Sequence, residues 1–317
     1  CGSSAWVQNL AGYQNFLVGW YSREAQDEVI AAGRPVFSGL VMGPPVFAGI
    51  VDGGVRLSGR WLYVSGIDQC SWLQLSAKDP RVTEGKPRVL TCLLPREQAI
   101  IDDDWHCMGL KGTGSKTAIL DDVFVPAHRV MCFRETEKHG IPGAAVNEGA
   151  MYGGIPNSTM FGMIVAAPAV GLAESALAAW RERLVSRTNA RMPSAQSEWP
   201  SAQALLGRAR IRLDMAQSAM KRAAAGMAAD IEGGVAIPPK RQVFYRMEMV
   251  EIIRICTEIV YELFCDSGTG ASMEGNVLQR AFRDIHVLRS HFVLTPEFAE
   301  INAGRVQLDL GTTGPFV

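Results

Sequence analysis

Apolar residues recur every three or four positions at the start of the chain, every second position in its next third, and every three or four again to the end. Trp6, Leu10, Tyr13, Leu17 and Trp20 lie at helical spacing, which predicts an amphipathic helix from a cap at Ser3 or Ser4 to about Trp20. Ser22 caps a short second helix, Arg23 to Ala32, closed by Gly33. From Pro35 to Val125 the period changes. Asp52-Gly53-Gly54 is a hairpin signal, and Val55, Leu57, Gly59, Trp61 and Tyr63 alternate along one face of a predicted strand. Trp72 to Ala77 and Arg88 to Leu94 read as further strands, and Thr117 to Val125 as one stopped by Pro126. Short strands between turns predict an antiparallel sandwich or barrel. After Gly154 the helical period returns, in Ser158 to Ser186 (bent near Pro168), Ser201 to Ile231, Pro238 to Cys265, Asn276 to Leu294 and Glu297 to Leu310. The first four of these form a bundle. The predicted class is α+β with segregated parts: residues 1–34 helical, 35–150 an antiparallel β-barrel or sandwich domain, 151–317 a helical bundle.

Composition narrows the partners. The 317 residues carry 31 Lys+Arg against 32 Asp+Glu, a net charge of −1. No basic field draws the chain to nucleic acid or to an anionic membrane. The longest apolar run, Met160 to Leu172, is too short for a bilayer span and reads as a buried helix. The seven cysteines are scattered without a C-x-x-C pair, which argues against a disulfide framework or a zinc site and for a reducing, cytoplasmic setting. The chain opens on Cys1 and enters an apolar helix at once, so an N-terminal helical domain is expected to be largely missing from it.

Candidate chemistry gathers in the window from Asp104 to His128. Gly109, Gly112 and Gly114 allow unusual backbone angles, and Thr113 and Ser115 add hydroxyls. Such a loop holds a polar, planar or phosphorylated ligand, or simply makes a tight hairpin turn. His286 and His291 are five residues apart, on different sides of a helix, and cannot share a metal there. His106, His128 and His139 read as surface residues, and Arg280, Arg283 and Asp284 as a structural ion-pair set.

Four segments, in order, carry a resemblance: Trp61-Leu-Tyr-Val-Ser-Gly-Ile-Asp68; Gly109-Leu-Lys-Gly-Thr-Gly-Ser115 with Asp121-Asp-Val-Phe-Val-Pro126; Asp266-Ser-Gly-Thr-Gly-Ala271; and Arg280-Ala-Phe-Arg-Asp-Ile-His-Val-Leu-Arg-Ser-His291. Together they resemble the acyl-CoA dehydrogenase fold over nearly the whole chain. Within it they are similar to the flavin-dependent monooxygenases that serve as oxygenase components of two-component hydroxylases. The resemblance implies reduced FMN or FAD supplied by a partner flavin reductase, O2, a small aromatic or natural-product substrate, and a homotetramer. No G-x-G-x-x-G follows a strand, so the chain has no dinucleotide fingerprint of its own.

The resemblance also implies roles for residues. Trp61, Ser65, Gly66, Thr113 and Ser115 would lie against the flavin, and Arg187, Ser267, Gly268 and Thr269 would hold its phosphate. Oxygen would be activated as a flavin C4a-hydroperoxide, which survives where water is excluded. Ser65 and a neutral His291 would act on it or on a phenol. The first helix lacks the histidine that faces substrate in many hydroxylases; Tyr13, Gln14 or Asn15 takes its place. Two other readings stay open. An acyl-CoA dehydrogenase needs a carboxylate base, but the stretch after the Arg-Asp helix reads Arg-Ser-His-Phe-Val, with Glu297 and Glu300 only in the next helix. A non-catalytic oligomeric module would keep the bundle for tetramer formation and bind no flavin.

Overall fold

The computed structural model describes residues 1–31, 46–84, 88–132, 135–136, 139–149, 151–154, 156–186, 188–189, 192–234 and 236–313. Helix α1 spans Gly2–Val18 and buries Trp6, Leu10, Tyr13, Gln14 and Leu17. Ser3 and Ser4 lie inside it; Cys1 is the N-cap and makes no side-chain cap bond, so neither serine caps as predicted. Trp20 falls beyond the helix end. Helix α2 spans Arg23–Ala31.

Seven strands follow: β1 Gly49–Val51, β2 Gly54–Val64, β3 Trp72–Lys78, β4 Val89–Pro95, β5 Ile100–Asp102, β6 Lys116–Pro126 and β7 Val130–Met131. They form two antiparallel sheets, ordered β1-β2-β6-β5 and β3-β4-β7. Of the predicted alternatives this is the sandwich; the described strands do not close into a barrel. Leu57, Trp61, Ile67, Leu73, Leu75 and Leu94 fill the space between sheets. Each fully buried side chain of this size adds about 1.5–3 kcal/mol.

The predicted alternation of β2 breaks at its end. The register against β6 slips between Trp61 and Val64. Tyr63 takes a left-handed backbone with φ +61° and is 64 % exposed, while Val64 takes the inward place. A bulge adds one residue to a strand and re-aims a side chain, and alternation alone does not show it.

The bundle contains α3 Asn157–Ser186, α4 Pro200–Glu232, α5 Pro239–Asp266, α6 Val277–Arg289 and α7 Pro296–Gln307. Prolines open α4, α5 and α7, where a missing N–H costs nothing. Helix α5 is central and packs on α3, α4, α6 and α7. Helix α3 runs well beyond the apolar stretch that ended at Leu172. By length and composition alone its 30 residues could cross a membrane, but half of its most apolar window is buried, as in the core helix of a bundle. Helix α6 is capped by the Asn276 side chain, which accepts from Leu278 N–H at 2.9 Å. It stops at Arg289, not Leu294. His291 instead starts a short 3-10 turn, Phe292–Leu294.

Candidate active site

A cavity of about 470 Å³ opens where α1, the β-sandwich loops and the bundle meet. Helix α1 presents Trp6, Leu10 and Gln14, one helical row at i, i+4 and i+8. The loops around β2, β5 and β6 add Tyr63, Ser65, Trp105, Leu110, Thr113 and Ser115. The bundle adds Phe161 and the α6 exit from Val287 to Phe292, with His291 in it. No carboxylate lines the cavity among the described residues.

The sandwich side is a continuous hydrogen-bonded chain. The Trp6 indole donates to Ser65 Oγ at 3.1 Å. Ser65 Oγ lies 2.8 Å from Ser115 Oγ, which lies 2.6 Å from Thr113 Oγ1. Thr113 Oγ1 donates to the Leu110 carbonyl at 2.8 Å. That carbonyl also accepts from the Trp105 indole at 3.1 Å and from Thr113 N–H at 3.0 Å.

Leu110 is aimed by the bundle. Its backbone is left-handed, φ +50°, a conformation that costs a leucine stability unless its surroundings hold it. Its N–H donates to Asp284 Oδ1 at 2.7 Å. Arg283 Nη1 donates to the Met108 carbonyl. Gly109 fits between them: a Cβ there would lie 2.2 Å from the Arg283 carbonyl oxygen. The predicted Arg280–Arg283–Asp284 ion-pair set is therefore corrected. Asp284 and Arg283 grip the backbone of the glycine loop, a role that charge pattern alone does not reveal.

The helical side is different. Gln14 is 1 % exposed, lines the cavity, and its Oε1 has no hydrogen-bond partner. His291 packs among Trp6, Phe161 and Phe292, with ring centroids 5.5, 5.8 and 4.9 Å away. Burial pushes its imidazole down to about 4, so it is neutral near pH 7. Its Nδ1 accepts from Val293 N–H at 3.4 Å, which assigns the ring proton to Nε2.

The chain is matched from residue 163 to 296 by the family described as acyl-CoA dehydrogenase, C-terminal domain. It is 31% identical to the flavin-dependent monooxygenase, oxygenase subunit HsaA, of Rhodococcus jostii (strain RHA1), over 100% of this chain and 83% of that protein. This chain belongs to the flavin-dependent monooxygenase oxygenase subunits. Solved structures agree. The 3-HSA hydroxylase from Rhodococcus sp. RHA1 superposes with a TM-score of 0.92 at 31% identity, covering 100% of this chain and 81% of that one. XiaF from Streptomyces sp., in complex with FADH2 and glycerol, gives 0.86 at 28% identity, covering 100% and 80%. This flavin-dependent monooxygenase is thus an oxygenase component that uses reduced flavin.

The cavity of this monooxygenase suits a flavin ring. It has room for a planar heterocycle, aromatic and aliphatic walls, and three hydroxyls on one side. Of the sequence-predicted residues, Ser65, Thr113, Ser115, His291 and Gln14 all line it. Gly66 lies next door, in a recess of about 340 Å³ that shares Thr113. Trp61 does not reach the cavity. It is 1 % exposed in the sandwich core, with its indole donating to the Ser76 carbonyl at 2.8 Å; the bulge brings Tyr63 to the cavity instead. Tyr13 stands one layer back, its hydroxyl on Asn157 and its ring 5.2 Å from Phe161. Asn15 faces out and donates to the Ala11 carbonyl at 2.7 Å.

Ser267, Gly268 and Thr269 do not line the cavity. Ser267 is buried, with its hydroxyl on the Leu263 carbonyl at 2.7 Å. Arg187 lies outside the described residues. Sequence reasoning missed Trp6, Tyr63, Trp105 and Phe161. For Trp6 a signal exists: it heads the row whose third member, Gln14, is polar. Elsewhere, Glu24, Glu28 and His128 cluster on the surface, but Arg129 pairs with Glu28 and the group reads as an ion-pair set.

Proposed function

We propose that this oxygenase hydroxylates a small phenolic or related aromatic compound in the cavity bounded by Trp6, Gln14, Ser65, Phe161 and His291. The unpartnered Gln14 Oε1 carries this reading. A buried acceptor without a donor costs about 1–3 kcal/mol, and a substrate hydroxyl supplies that donor. His291 offers the complement. As a neutral ring with its proton on Nε2, it donates a hydrogen bond to an oxygen that gains negative charge. Phe161 and Leu10 hold the aromatic body and keep water out. Reduced flavin, when bound, supplies the electrons that activate O2. A dehydrogenase reading lacks support: among the described residues the cavity wall offers no carboxylate to take a proton next to a thioester.

Further parts of the proposal go beyond the cavity. Residues 1–34, 35–150 and 151–317 act as three units. A separate reductase delivers FMNH2 or FADH2. Arg187 and the Ser267–Thr269 loop meet the flavin phosphate of a neighbouring copy. The exposed Ile211, Met215 and Tyr261 on α4 and α5 support assembly into a homotetramer. The seven free cysteines fit a reducing cytoplasm.

The test is a single-turnover reaction of the protein with chemically reduced FMN or FAD, O2 and a panel of phenols. Hydroxylated product from at least one phenol, with less free peroxide, supports the reading. Peroxide released quantitatively with every phenol refutes it.

A further inference from the structure

The hydroxyl chain on the sandwich side has a preferred polarity, and its consequence for the cofactor rests on the reading that flavin occupies the cavity. Each contact between two oxygens at 2.6–2.8 Å needs one proton. There are three such contacts and three hydroxyl protons. The Leu110 carbonyl has no proton, so Thr113 donates to it. Thr113 must then accept from Ser115, and Ser115 from Ser65. The Trp6 indole, which only donates, completes the chain at Ser65. None of these three hydroxyl protons is left for the cavity. Ser65, Ser115 and Thr113 each keep one lone pair, and all three line the cavity.

We propose that the chain Ser65–Ser115–Thr113, pinned by the Leu110 carbonyl, selects reduced over oxidised flavin by presenting only acceptors to the cofactor. Reduced flavin carries an N–H on its central ring where oxidised flavin carries a bare nitrogen. An acceptor wall bonds the first and repels the second. The chain can run the other way, with Ser65 donating into the cavity, but only by leaving the Thr113 and Leu110 oxygens face to face without a proton. Selection therefore amounts to about one hydrogen bond. Thr113 is the specificity-determining residue, and Trp6 is a positioning residue that holds the Ser65 oxygen. The pin is independent of the cofactor, because Asp284 and the left-handed Leu110 backbone fix the carbonyl from the bundle side.

The experiment measures dissociation constants of reduced FMN, under anaerobic conditions, and of oxidised FMN for the full chain and its variants. Thr113→Val removes the pin while nearly preserving shape. It should cut the preference for the reduced form about fivefold and lower the bound flavin's two-electron potential by about 20 mV. Thr113→Ser should restore both. A merely structural role for Thr113 would weaken both forms alike and leave the ratio unchanged. An unchanged ratio in Thr113→Val overturns the proposal. His291→Trp, which fills the cavity from its edge, separates the two failures. If folded His291→Trp binds both forms as the wild type does, flavin lies elsewhere and the cavity reading fails along with the proposal.

Discussion

The two walls of the cavity treat their polar groups in opposite ways. On the sandwich side, Ser65, Ser115 and Thr113 are joined end to end, and the Leu110 carbonyl at the end of the row accepts from Thr113. On the helical side, Gln14 Oε1 has no partner, and His291 uses only Nδ1, leaving Nε2 without a described one. A saturated wall is rigid and reads a ligand by its donor pattern. An unsaturated wall lowers the stability of the empty protein and recovers that loss only when a ligand arrives. One side is suited to a cofactor of fixed structure, the other to a substrate whose oxygen changes charge during reaction.

The sharpest test of this contrast is His291→Ala. Turnover should fall about 10²–10³-fold while reduced-flavin affinity changes little, measured by product formation and by flavin titration. Equal losses in both would erase the distinction between walls. Gly109→Ala attacks the other side. The added Cβ, 2.2 Å from the Arg283 carbonyl oxygen, forces the loop off α6. Urea unfolding should show a loss of about 3 kcal/mol.

Acid separates the walls from the rest of the molecule. The folded His291 imidazole sits near 4 through burial, below its unfolded value. The unfolded chain therefore takes up the proton first, and stability falls as pH drops from about 6.5 towards 4. The loss should be about 3 kcal/mol, absent in His291→Phe when thermal midpoints are compared across that window. Asp79 responds later. Arg81 and then Arg88, each at 2.7 Å, hold its carboxylate well below the usual range, so its contribution disappears only below the ordinary carboxylate pKa. Gln14→Leu has the smallest effect, with opposite signs in two assays. Removing the orphan acceptor should stabilise the empty protein by about 1 kcal/mol and raise KM for a phenol about fivefold.

Much of the cavity is legible in the sequence, and the misses share physical causes. Ser65, Thr113 and Ser115 stand out because small hydroxylated residues beside glycines seldom serve a core. Gln14 is visible as a polar break in an apolar helical row, but choosing it over Tyr13 and Asn15 needs the helix phase against its neighbours. Trp61 and Tyr63 exchanged places because a bulge inserts one residue where alternation assumes none. His291 lines the cavity as the sequence predicts, but the helix predicted to carry it ends two residues earlier, at Arg289. Asp284 reads as an ion-pair residue in the sequence because its partner is a backbone N–H 174 residues away, and backbone donors leave no mark on charge pattern.

Asp284 also ties the cofactor wall to the bundle. The carbonyl that orients the hydroxyls is held in place only when α6 has docked against the glycine loop. Without α6 against the loop, that carbonyl loses its anchor at Asp284. Oxygen-activating chemistry is dangerous in an open site, where it wastes electrons as free peroxide. Tying the cofactor wall to a contact with α6 makes its order depend on a part of the fold remote in sequence.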